Sequence, residues 1–108
     1  MGLWTRFRTR RPTARGSEGG DLAHLREWAR THRGVEGFVE PRTTVTETTM
    51  LLVAADGEWT RRRISGPAAA RKLARSLAMP VYDVQLMGYP QRMRDHDARE
   101  RILRRRAL

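Results

Sequence analysis

The sequence predicts an α+β domain: a small, mainly antiparallel sheet with helices, in the order α-β-β-β-α-β-α, behind a flexible basic N-terminal arm. Three observations predict it. Apolar residues recur at helical spacing in residues 67–78; an unbroken apolar run, 50–53, lies between a threonine-rich stretch and an Asp-Gly turn; and glycine or proline marks each change of period. A chain of 108 residues supports one such domain, because small domains bury only about 60 to 70% of their unfolded surface and a second core would be starved. The reading divides it into a disordered basic arm, 1–20, and a single α+β domain, 21–108, ending in a basic helix.

Residues 1–20 mix Trp4 and Phe7 with five arginines, Pro12 and four glycines, and no apolar spacing gives them a buried face. Asp21 then serves as a cap, Leu22, Leu25, Trp28 and Ala29 form a stripe with Trp28 as its anchor, and Gly34 closes the first helix. Val35, Gly37 and Val39 share one side of a short strand stopped by Pro41. The second strand runs from Thr43 to Ala55, half-exposed at first and buried on both faces over Met50, Leu51, Leu52 and Val53, which makes it the central strand. Asp56-Gly57 is a hairpin signal, and residues 58–64 return with Trp59, Arg61 and Arg63 on one face and Thr60, Arg62 and Ile64 on the other.

Ser65-Gly66-Pro67 opens the second helix, where a missing N–H costs nothing. Its stripe is Ala70, Leu73, Ala74, Leu77 and Ala78, with Arg71, Lys72, Arg75 and Ser76 outward. Pro80 prevents continuation, and the alternation of 81–87 predicts a fourth strand ended by Gly88-Tyr89-Pro90. A last helix from Arg94 to Arg106 places acids at its start and arginines at its end, matching the helix dipole. Its apolar stripe is thin: Met93, Ala98 and Ile102.

The charge is unevenly spread. The formal charge is +10, and 21 of the 22 basic residues are arginine. Residues 1–17 carry +5, residues 92–108 carry +4 and the segment between them +1. A basic footprint of that kind comes from the two ends rather than from a folded pocket. The candidate nucleic-acid contacts are Arg6, Arg8, Arg10, Arg11 and Arg15 in the arm, Arg61, Arg62 and Arg63 on the third strand, Arg71, Lys72 and Arg75 on the second helix, and Arg104, Arg105 and Arg106 at the C-terminal end.

Several chemistries have no residues to carry them. The absence of cysteine removes disulfides, thiolate zinc and iron–sulfur chemistry and fits a cytoplasmic location. No apolar run approaches the roughly 18 residues of a membrane span. His24 and His32 lie eight residues apart on one helix, about 12 Å, too far for one ion. No catalytic residue, cofactor motif or metal site is expected, and the stretch 88–94, with Tyr89 between Gly88 and Pro90, reads as a turn into the last helix or as a loop that docks a partner.

The element order resembles the common core of restriction-endonuclease-like proteins, and its first five elements resemble the double-stranded RNA-binding domain. A nuclease of the first kind needs carboxylates and a lysine on adjacent strands. Here the acids are Glu47, Asp56 and Glu58, while Lys72 sits on a helix. An RNA reader grips phosphates from its last helix and a hairpin, for which the basic residues of the third strand and second helix are the counterparts. Residues 35–44 (Val-Glu-Gly-Phe-Val-Glu-Pro-Arg-Thr-Thr), 56–62 (Asp-Gly-Glu-Trp-Thr-Arg-Arg) and 80–84 (Pro-Val-Tyr-Asp-Val) resemble a family of small, functionally uncharacterised actinobacterial proteins, over a little more than half the chain. Relatives there sometimes carry an automatic oxidoreductase label, for which this sequence has no nicotinamide, flavin, haem or thiol motif. The resemblance implies a lineage and a globular middle.

The sequence therefore predicts a non-enzymatic protein that contacts RNA or DNA through its arginine-rich ends. The alternatives are an adaptor for an acidic protein partner, and a membrane-surface protein held by Trp4, Phe7 and the arm's arginines. Arg6 stands where N-myristoylation requires serine or threonine.

Overall fold

The computed structural model describes residues 14–107. They form an α+β domain with helix α1 (Ala14–Arg30), strands β1 (Glu36–Glu40), β2 (Thr49–Val53) and β3 (Trp59–Arg63), helix α2 (Pro67–Ser76), strand β4 (Val81–Asp83), the single turn α3 (Val84–Met87) and helix α4 (Gln91–Ala107). The sheet order is β3-β2-β1-β4, with β4 parallel to β1 and the other pairs antiparallel.

The apolar run in β2 explains the layering. Met50, Leu51, Leu52 and Val53 all have 0% exposure, which is possible only if both faces of the strand are covered. Under α1 and α2, Met50 and Leu52 meet Leu25, Val39, Ile64, Ala70, Leu73 and Ala74. On the opposite face Leu51 and Val53 meet Phe38 and Met93, with Trp59 and Tyr82 packed against them. The two main apolar helices thus share one face, and the first turns of α4 cover part of the other.

The hairpin and α2 follow the predicted chemistry. Gly57 has φ +94°, and a Cβ there would collide with the Arg92 carbonyl oxygen. Glycine is needed both for the turn and for the approach of α4. Pro67 starts α2 behind Gly66, and the stripe Ala70, Leu73 and Ala74 is buried. The helix ends in a Schellman arrangement: the Met79 N–H donates to the Ala74 carbonyl at 3.0 Å and that of Ala78 to Arg75 at 3.1 Å. Ala78 therefore takes a positive φ of 53°, where glycine is the usual residue.

Four boundaries differ from expectation. Helix α1 begins at Ala14, not Asp21, so the stretch 14–20 of the expected arm is helical; propagation from a packed helix adds residues without requiring an apolar face. The arm reading of 1–13 lies outside the described residues. Strand β2 begins at Thr49, because the Thr43 hydroxyl accepts from the backbone N–H of Val45 at 3.2 Å and of Thr46 at 3.1 Å, a local alternative to the sheet ladder. Strand β4 stops after Asp83, whose carboxylate accepts from the Gln85 N–H at 2.7 Å and caps α3. Helix α4 starts at Gln91; it buries Met93, leaves Ile102 41% exposed, and has no apolar stripe along its length.

Candidate nucleic-acid interface

Among the described residues, helix α4 is fixed along its first three turns and exposed beyond them. The Arg92 guanidinium donates to Glu36 at 2.6 Å and to the Ala54 carbonyl at 2.9 Å. Met93 enters the second core cluster, the His96 side chain closes on Gly57, and Asp97 accepts from the Trp59 indole N–H at 2.9 Å. Arg99 reaches the Asp56 carbonyl at 3.1 Å. From Arg99 to Ala107 every residue is exposed. The part beyond Arg99 is about 12 Å of helix, and it holds Arg101, Arg104, Arg105 and Arg106 against the single acid Glu100. Arg94, Arg101 and Arg105 recur at i, i+7 and i+11, so they fall within about 40° of one another around the axis and form a stripe about 16 Å long.

The predicted contacts on β3 are differently employed. Arg61 makes a two-pronged bond to Glu40, Nε to Oε1 at 2.7 Å and Nη2 to Oε2 at 2.9 Å, and its guanidinium lies 5.1 Å from the Trp59 ring centre. Glu40 also accepts from Thr49 at 2.6 Å and from the Tyr89 hydroxyl at 2.5 Å. Burial pushes the Glu40 carboxyl up, but the donors from Arg61, Thr49 and Tyr89 together outweigh it and hold its pKa below the ordinary value. The same bond, with burial, raises the Tyr89 phenol. The loop carrying Tyr89 is thereby tied to the sheet as it turns into α4. Arg62 sits on the other face, 3.5 Å from Asp21 of α1, and Arg63 is half-buried.

Arg71, Lys72 and Arg75 are exposed on α2. That helix packs over β1 and β4, two and three strands from β3, or roughly 10 to 14 Å. Arg61 and Arg63 moreover face the opposite side of the sheet, so the β3 and α2 arginines do not converge. Arg104, Arg105 and Arg106 lie together at the end of α4. Arg15 is in α1, and Arg6, Arg8, Arg10 and Arg11 lie outside the described residues. Sequence reasoning missed the Glu40 network and the bracing roles of Arg92 and Arg99; only the Gly-Tyr-Pro turn signalled that region. It also did not single out Arg94 and Arg101, whose signal is their seven-residue spacing.

No family model, curated protein or solved structure matches the chain. Among the described residues no helix is long and apolar enough to cross a membrane.

Proposed function

We propose that this is a non-enzymatic nucleic-acid-binding protein whose contact is the exposed arginine-rich end of α4. The observation that carries the reading is the exposed end itself: beyond Arg99 four arginines stand on a helix that, among the described residues, is exposed at every position, with Arg94 extending their stripe toward the domain. An α-helix is narrow enough for the major groove of B-form DNA, and on a duplex of either kind arginines on its exposed flanks can meet backbone phosphates. The arginines already committed to carboxylates, Arg61 to Glu40 and Arg92 to Glu36, offer phosphate much less. Each phosphate neutralised releases counterions, so affinity falls with salt at a slope of about 0.7 to 0.9 per contact.

The test is fluorescence anisotropy of a labelled 20-base-pair RNA or DNA duplex across a salt series. Replacing Arg101, Arg104, Arg105 and Arg106 together with glutamine should weaken binding at least tenfold and lower the salt slope by about 3. The unfolding midpoint should stay in place. An equal slope in both proteins, or no binding of either at roughly 50 mM salt, would refute the reading.

A further inference from the structure

Above the covered sheet face, α1 and α2 leave a gap between them. Each helix packs on the sheet and hardly on the other, and between them runs an open trench of about 570 Å³. Ala23, Ala29 and Leu77 give it an apolar lining, Ser76 stands on the α2 side, and Arg26, Glu27 and Arg30 form the α1 wall. Lys72, the only lysine, is one helical turn before Ser76 on the same flank of α2. Arg30 is held by Glu27 at 2.6 Å, so Arg26 and Lys72 supply most of the unspent charge.

We infer that this trench is the docking site for an acidic amphipathic helix of a partner protein. An apolar floor offers nothing to phosphate, which argues against nucleic acid here. An extended peptide is disfavoured because neither wall is a strand edge, and its own N–H and C=O groups would lose water without gaining partners. A helix has its backbone bonds already made, and the small side chains of Ala23 and Ala29 let it come close. Leucines in the trench with glutamates on both shoulders would satisfy the floor, Arg26 and Lys72 at once. This site is independent of the α4 contact and lies on the other face of the sheet.

The probe is a labelled 18-residue peptide with leucine at i, i+3, i+4 and i+7 repeats and glutamate beside them, titrated with the full chain. An isomer of identical composition but scattered leucines is the reference. The amphipathic peptide should bind at least tenfold more tightly than the isomer, and amide shifts should centre on Ala23, Arg30 and Leu77. Ala23→Glu and Arg26→Glu should each weaken it at least fivefold. Both positions are exposed, so the fold tolerates the changes. Arg71→Glu, on the opposite flank of α2, should leave affinity within twofold. The four-arginine α4 variant should bind the peptide as the parent does, whether or not nucleic-acid binding is lost. Equal affinity for the two peptides, an equal loss in Arg71→Glu, or shifts centred on α4 would each overturn the assignment.

Discussion

Gly57 and Glu40 show how single residues set the two ends of the sheet face beneath α4. At Gly57 two demands coincide, a positive φ and van der Waals contact with the Arg92 carbonyl. Any side chain must push α4 away while adopting a disfavoured backbone. Gly57→Ala should therefore cost about 3 kcal/mol or more, read from urea unfolding midpoints, and a cost below about 1 kcal/mol would mean that α4 does not close on the hairpin. Glu40 works through charge. Its folded pKa lies below the ordinary carboxylate value, so its contribution is complete above the unfolded pKa of about 4.3 and disappears as pH falls through the folded value. Glu40→Gln should then be less stable than the parent at pH 7, with the difference closing only below about pH 4.3; a gap that is constant down to pH 3 would contradict the network.

Elements differ in how far the sequence announces them, and the reason is how much of each is decided locally. Helix α2 was legible to within a residue or two because Pro67 fixes its start and the stripe Ala70, Leu73 and Ala74 its face. The central position of β2 was legible because 50–53 is apolar without alternation. The end of β4 was not: alternation over 81–87 reads as strand, and only the Asp83 side chain bonding to Gln85 decides for a turn. The Glu40, Thr49, Arg61 and Tyr89 network was illegible because its members are joined by strand register and by a loop 49 residues away from Glu40. The same contrast between packed and unpacked helix sets a prediction. Leu73→Ala in α2 should cost about 2 to 5 kcal/mol, whereas Leu103→Ala in α4, where the side chain is 55% exposed, should fall within about 0.5 kcal/mol. The α2 terminus offers a gain. Ala78 holds a left-handed conformation that costs an L-residue roughly 1 to 2 kcal/mol, partly offset by its stiffer unfolded chain, so Ala78→Gly should raise stability by about 0.5 kcal/mol.

At the scale of the whole molecule, stability and charge are housed in different places. Both apolar clusters lie on the two faces of β1 and β2, and the last residue of α4 to enter either is Met93. Among the described residues, polar anchors from α4 continue through Asp97 and Arg99 and then stop. Ending the chain at Arg99 therefore removes four arginines and one glutamate but no buried side chain among the described residues. Such a truncation should leave the thermal midpoint within about 3 °C of the parent, since it loses less than roughly 0.5 kcal/mol of tertiary interaction. It should nevertheless weaken duplex binding as strongly as the four glutamine substitutions do. A truncated protein that unfolds many degrees lower would show that the end of α4 is packed in solution, against itself or a second copy, and its arginines would then be unavailable to phosphate. A truncated protein that folds normally and keeps its full affinity would move the contact to the arginines of α2 or of residues 1–17, and calorimetry and anisotropy on the same sample separate these outcomes.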